Sequence, residues 1–275
     1  MFLLGRKNLE NILKIAVMGM GVAGSYLMAR LKDSKHDVTG YERSAEDRHD
    51  SICAWGTIKP ILREFCKKTD RNFDDFLIHD GKKMHVKMND DIKFDIGLHG
   101  MCTYNKLALI KDFIKDSKVI YGEAPKLEEL EKEYDLIVDC TGFGRAYLPK
   151  MEEDFFLPTY EYKVEYENGV PYDDFYIEPF PGMSGYFWYF PLGEKWAHIG
   201  AGDYNKQHIK ATDAFLKKHG GKVLQTKGRP IRLATPNKCK PFYKDKVVGV
   251  GESIGTVYAL LGEGIIPSMQ CVDIF

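Results

Sequence analysis

Six cysteines stand at positions 53, 66, 102, 140, 239 and 271, and no two of them form a C-x-x-C pair. That excludes a zinc ribbon or a thioredoxin-type redox motif. The spacing is not that of a disulfide framework, so a reducing, cytoplasmic compartment is expected. The eight histidines lack H-x-x-x-H spacing, so no metal site is expected, and His85 and His99 read as surface or satisfied core residues. There is no G-x-S-x-G elbow and hence no support for a serine hydrolase. Charge of one sign is missing too: 39 basic against 40 acidic residues leave a net charge of −1, and the basic residues often sit beside acids, so no nucleic-acid partner is expected. No apolar run reaches membrane-spanning length, and Met1–Leu4 is too short for a signal-peptide core. Peripheral contact with a membrane, at its inner face, is left open by these absences. Repeats and low-complexity segments are absent as well.

What is present begins with Lys14-Ile15-Ala16-Val17-Met18-Gly19-Met20-Gly21-Val22-Ala23-Gly24-Ser25. An apolar run that breaks into Gly-x-Gly-x-x-Gly and then into a helical pattern over 25–31 is the context in which three glycines mean dinucleotide binding. Gly19 permits the tight turn, Gly21 lets a pyrophosphate approach the backbone, and Gly24 lets the helix pack close to the strand. The helix start offers free N–H groups and a positive dipole end to phosphate. Residues 37–41 read as the next strand, and Glu42 ends it, 18 residues after Gly24. A carboxylate there can accept hydrogen bonds from ribose hydroxyls and repels a 2′-phosphate.

With 275 residues, 44% of them hydrophobic, the chain can bury a substantial core in one or two domains. Ser51-Ile52-Cys53-Ala54-Trp55-Gly56-Thr57 is an unusual cluster for a loop, and 58–68 could be a helix interrupted early by Pro60. Residues 73–98 alternate with turn breaks, as antiparallel strands do. Helical periodicity returns over 104–114 and 206–218, charged helix over 128–133, and apolar strands over 135–139 and 246–250. Residues 155–205 are strand-rich, with turns at Asn168-Gly169, Pro181-Gly182 and Leu192-Gly193. A last helix begins over 262–274, and its early end suggests a truncated or minimal C-terminus. The expected architecture is α/β: a discontinuous Rossmann-like nucleotide domain (13–60, 100–150 and 240–275) interleaved with an antiparallel β-sheet substrate domain (61–99 and 151–239). Tyr186, Trp188 and Phe190 alternate along one strand and would put three aromatic rings on one face. That face is either an apolar cavity wall or a core strand.

Five stretches together resemble flavoprotein oxidoreductases of the p-hydroxybenzoate hydroxylase fold (glutathione reductase-2 type), and within them the geranylgeranyl reductase family. They are Gly19–Ser25 with Glu42; Cys53-Ala54-Trp55-Gly56; Asp139-Cys140-Thr141-Gly142; Tyr186-x-Trp188-x-Phe190-Pro191; and Val248–Ser253 followed by Gly262-Glu263-Gly264-Ile265. The resemblance spans nearly the whole chain. It implies FAD as cofactor, bound by Gly19, Gly21, Val22, Ala23, Gly24, Glu42 and Arg43; by Cys53, Ala54 and Gly56; by Thr141 and Gly142; and by Gly251, Glu252, Gly262, Gly264 and Ile265. It implies catalytic roles for Cys53, Tyr186 and Trp188, with Phe190 and Pro191 lining the substrate cavity. Cys53 is open between a proton-donating or redox-responsive thiol and a small packing residue. Cys102 and Cys140 read as buried packing residues. Glu252 stands where the family usually has Asp, and Leu261 where it usually has Pro. N–H groups near the helix start at 265 would stabilise negative charge at the reduced flavin.

The implied activity is reduction of C=C bonds in a geranylgeranyl chain of an archaeal-type membrane lipid precursor. Electrons would come from an external donor, ferredoxin or reduced nicotinamide. Rival readings are an FAD-dependent monooxygenase or halogenase, a non-redox flavin enzyme acting on a polyene, and a degenerate, non-catalytic FAD- or lipid-binding protein.

Overall fold

A computed structural model describes residues 11–51, 53–167 and 169–275. Residues 1–10 lie outside them, as do Ile52 and Asn168, which fall in the 51–57 cluster and the Asn168-Gly169 turn expected from the sequence. Along the chain the strands are β1 (Lys14–Met18), β2 (Asp37–Glu42), β3 (Gly56–Ile58), β4 (Leu77–Asp80), β5 (Lys83–Lys87), β6 (Lys93–Gly97), β7 (Met101–Tyr104), β8 (Val119–Tyr121), β9 (Leu136–Asp139), β10 (Phe156–Glu165), β11 (Phe175–Pro179), β12 (Gly185–Pro191), β13 (Trp196–Asp203), β14 (Lys222–Arg232), β15 (Tyr243–Lys244) and β16 (Val247–Gly249). The helices are α1 (Val22–Leu31), α2 (Lys59–Lys67), α3 (Lys106–Ile114), α4 (Leu127–Glu133), α5 (His208–His219) and α6 (Ile265–Ile274).

The chain divides into two compact units. One comprises the chain up to Asp50, Leu107–Phe155 and Arg232–Phe275; the other comprises Ser51–Lys106 and Phe156–Ile231. The expected boundaries put 51–60 and 100–106 with the nucleotide segments. They group instead with the second unit, because β3 pairs antiparallel with β7, and β7 with β4.

In the first unit the sheet runs β15-β16-β9-β1-β2-β8. All its pairings are parallel except β15–β16. The five parallel strands thus follow the 3-2-1-4-5 order of doubly wound nucleotide folds. β1 is central because its apolar run suits a strand flanked on both sides, and four of its five residues are buried. Ala16, Met18, Tyr41, Leu130, Ile137 and Val247 share one core. α1 packs on α6, where the Tyr26 hydroxyl donates to Asp273 (2.9 Å).

The second unit carries a seven-stranded sheet, β14-β10-β13-β12-β11-β5-β6, antiparallel at each registered pairing except β11–β5. On one face α5 brings Phe215 against Phe187, Tyr189 and Tyr176. Pro60 lies in the first turn of α2 rather than interrupting it. The missing N–H costs nothing there, since first-turn amides have no intrahelical acceptor.

Candidate functional site

The glycine loop follows β1. Gly19 has φ +91°, and a Cβ on it would lie 2.9 Å from the Cys140 carbonyl oxygen. A Cβ on Gly24 would lie 2.0 Å from the Gly19 carbonyl oxygen. Both are glycine because the fold leaves no room. Gly21 is different: it has φ −77°, and a Cβ there would meet nothing within 4 Å. Nothing packed beside Gly21 demands a glycine, and its bare backbone leaves open space through which a group from outside can approach. Gly21 caps α1 and no side chain does. The first-turn amides, those of Val22, Ala23 and Gly24, have no intrahelical acceptor, and no cap side chain among the described residues takes them.

Glu42 is turned toward this loop. Its Oε2 accepts the Met20 N–H (3.0 Å) and its Oε1 the Ser44 N–H (2.9 Å). A carboxylate has about four acceptor sites, so two remain for ribose hydroxyls. Arg43 beside it is exposed. Buried His49 backs the loop, its Nε2 donating to the Met20 carbonyl (3.0 Å). Open space at Gly21, an uncapped helix start and an acid with spare acceptors fit the diphosphate and ribose of a dinucleotide.

Thr141 and Gly142 follow β9. Fully buried Asp139 organises their turn by accepting from Thr141 N, Thr141 Oγ1, Tyr147 N and Leu148 N. Two arginines that sequence reading passed over bind this turn to the loop after β16. Arg145 donates to the carbonyls of Pro149, Ser253 and Pro241. Arg232 makes a two-pronged bond to Asp154 and donates to the carbonyls of Phe143 and Glu252 (2.8 and 3.0 Å). Both are buried. Their signal in the sequence was a cation set in an apolar run, as in Ile231-Arg232-Leu233-Ala234.

Gly251 has φ +80°, and its Cβ would touch the Ala23 side chain at 2.9 Å, so the second glycine turn abuts the first-turn residues of α1. Glu252 accepts the Arg232 main-chain N–H through Oε1 (2.9 Å). Gly262 has φ +64° and Gly264 caps α6, with Ile265 buried behind it. The sequence leads one to expect free N–H groups at the start of α6 for a reduced flavin; instead, Glu263 Oε1 accepts from the N–H groups of Ile265 and Ile266 (3.0 and 2.9 Å), so a carboxylate already sits on that dipole end.

In the second unit, Cys53-Ala54-Trp55-Gly56 leads into β3. Trp55 adopts φ +63°, a costly conformation for a non-glycine residue. Its N–H donates to the half-buried Cys53 Sγ (3.4 Å), and its ring packs on His198 with centroids 5.0 Å apart. A Cβ on Gly56 would strike the Phe190 ring at 2.5 Å, so this glycine clears space for the aromatic wall. Cys102 and Cys140 are buried, and burial pushes the Cys102 thiol up to about 12.

The register sets the aromatic wall. Trp188 faces Gly200 and Tyr186 faces Gly202 across β12–β13, and neither glycine could carry a Cβ beside its neighbours. Tyr186 and Trp188 rings lie 5.7 Å apart, and burial, reinforced by Cys53, raises the Tyr186 phenol above its ordinary range. Pro191 is buried and its carbonyl accepts the Thr103 hydroxyl (2.6 Å). Phe187 and Tyr189 point to the opposite face, into the α5 core. Gly200-x-Gly202 was a readable signal: two small residues in alternation leave room for large ones on the neighbouring strand. The same face carries buried His198 and Glu161, with Nδ1 and Oε1 3.1 Å apart, and the Trp188 indole N–H, which has no acceptor among the described residues. Among the described residues no cluster of three or more potential ligands could hold a metal ion, and no helix is long and apolar enough to cross a membrane.

The fold is that of the FAD-dependent oxidoreductases and monooxygenases. PqsL of Pseudomonas aeruginosa, a probable FAD-dependent monooxygenase, matches with a TM-score of 0.67 at 13% identity, over 96% of this chain and 84% of that one. A geranylgeranyl bacteriochlorophyll reductase-like protein of Thermoplasma acidophilum matches with a TM-score of 0.75 at 17% identity, over 94% and 76%. At such identities the likeness is one of fold. Within that fold, the resemblance to the geranylgeranyl reductase family is met in sequence as well. Digeranylgeranylglycerophospholipid reductase 2 of Methanothermobacter thermautotrophicus is 29% identical over 121 residues, 40% of this chain and 31% of the relative's length. No protein-family model matches the chain.

Proposed function

We propose that this chain is an FAD-dependent oxidoreductase that reduces C=C bonds of an isoprenoid chain of the geranylgeranyl type. The observation that carries the reading is Gly21, a glycine with open space where a side chain would stand, set beside an acid with acceptor capacity to spare. Bound FAD supplies hydride transfer, chemistry that no side chain performs. The protein's part is placement. Val22, Ala23 and Gly24 amides bind the diphosphate, and Glu42 orients the ribose. Asp139, Arg145 and Arg232 keep the Thr141–Gly142 and Gly251–Glu252 turns in fixed relation. Tyr186, Trp188 and Phe190 offer an apolar surface suited to a hydrocarbon chain and exclude water from it.

Anaerobic incubation of the reduced, FAD-loaded protein with a geranylgeranyl lipid, followed by mass spectrometry, tests the activity. The expected product gains two hydrogens per reduced bond. An unchanged lipid, together with oxygen- and NADPH-dependent hydroxylation of an aromatic compound, would support the monooxygenase reading instead.

A further inference from the structure

The seven-stranded sheet ends in two edges of different chemistry. β14 carries Lys222, Lys227 and Arg229 and no acid. A second copy laid on that edge would bring cation to cation, a common protection against edge pairing. β6 is the other edge. All five of its residues are exposed, and among the described residues no strand pairs with its outer side.

The hydrogen-bond phase of β6 follows from its neighbours. Met88 N–H donates to the Ile92 carbonyl (3.0 Å) and Leu98 N–H to the Lys82 carbonyl (2.9 Å). With the register running from Lys83↔Gly97 to Lys87↔Lys93, Met84–Ile96 and Val86–Phe94 are the hydrogen-bonded pairs. The main-chain groups of Lys93, Asp95 and Gly97 therefore point to the open edge.

We propose that β6 is a self-docking edge, through which two copies of this chain pair antiparallel about a two-fold axis at Phe94. In that register Lys93 lies opposite the partner's Asp95, Asp95 opposite the partner's Lys93, and Ile92 opposite the partner's Ile96. Each Lys–Asp pair falls where main-chain groups point outward, so it also exchanges ladder hydrogen bonds. The two Phe94 rings meet in the closer, non-hydrogen-bonded position, where aromatic pairs gain most. Of the other axes within β6 that keep this phase, those at Lys93 and Asp95 set like charges opposite each other, and those at Ile96 and Gly97 pair no Lys with an Asp. Within the strand, charge therefore favours the axis at Phe94. Asp95 is already held in place by His85 (2.7 Å). Ile92, Phe94 and Ile96, exposed by 51%, 47% and 45%, form one apolar stripe with their counterparts. The interface is short and isologous, so the dimer is of the weak, concentration-dependent class.

Sedimentation of the full chain over a concentration series reaching about 1 mM tests this. Wild type is expected to pass from monomer to dimer. Lys93→Asp and Asp95→Lys each turn both cross-strand pairs into like charges and are expected to weaken the dimer by about tenfold or more. Mixed one to one, K93D and D95K are expected to restore it, because each supplies the charges the other lacks. Circular dichroism identical to wild type confirms that these exposed substitutions leave the fold intact. A monomer at every concentration, or a dimer indifferent to both reversals, overturns the proposal. So does a monomer that binds neutral phospholipid vesicles through Phe94 and Ile96, which makes the stripe a membrane contact.

Discussion

At Gly24 a Cβ would sit 2.0 Å from the Gly19 carbonyl oxygen, while at Gly21 it would meet no atom within 4 Å. Two glycines of one loop thus answer to different constraints, one internal and one external, and substitution separates them. Gly24→Ala is expected to cost about 3 kcal/mol, the upper range for forced overpacking. Gly21→Ala is expected to cost about 1 kcal/mol or less, the difference between Gly and Ala at an N-cap. Thermal unfolding measures both. FAD titration of the Gly21→Ala protein is expected to show affinity reduced by about tenfold or more, since the methyl occupies the approach to the backbone. The loop was legible in the sequence because every cue was local: the apolar run, the glycine offsets and Glu42 lie within 30 residues of chain. His198 and Glu161 were not. They lie 37 positions apart and meet only through the β10–β13 pairing, so no spacing marks them.

At the scale of elements, long-range polar groups do what local pattern cannot announce. Arg232 joins Asp154, the turn after β9 and the loop after β16, partners 78, 89 and 20 positions away. Removing it leaves a carboxylate and several carbonyls without their donor. Arg232→Ala is expected to destabilise the protein by about 3 kcal/mol in urea unfolding, and Arg232→Lys to recover little, because one ammonium cannot reproduce the planar fork. In the second unit Asp174 ties β11 to β4 and β5. Burial pushes its carboxyl up, but the His79 ring and the N–H groups of Lys83, Lys82 and Phe175 outweigh that and hold it below the ordinary carboxylate value. A depressed folded-state value means stability that is present above the unfolded carboxylate range and lost as pH falls through the folded value. Unfolding free energy should therefore drop below about pH 4, and Asp174→Asn should lower stability at neutral pH and flatten that acid limb. β14 escaped sequence reading because Gly228 and Pro230 interrupt its alternation. At a sheet edge Pro removes no ladder bond, so the longest strand carries the weakest signature. Glu263 stands between two glycines of a motif read as cofactor loop, and nothing in that spacing marks its carboxylate as the cap of α6.

For the molecule as a whole, a doubly wound unit and an antiparallel unit are each built from discontinuous chain, and the strand orders alone define the fold. The strand, turn and helix patterns sufficed to anticipate α/β segments interleaved with β-rich ones. They could not set where 51–60 belongs, since β3 takes its partner from residues 101–103, outside any local window. Function rests on the glycine loop and Glu42 gripping the AMP half of FAD. The most direct test of that grip is the visible absorbance spectrum of the purified protein after incubation with FAD and removal of the excess, beside the folded Gly21→Ala variant. A flavin spectrum at one FAD per chain in the wild type, lost or much reduced in the variant, is the predicted result. A folded, colourless wild type that takes up no FAD, or a variant that retains it fully, would contradict the claim.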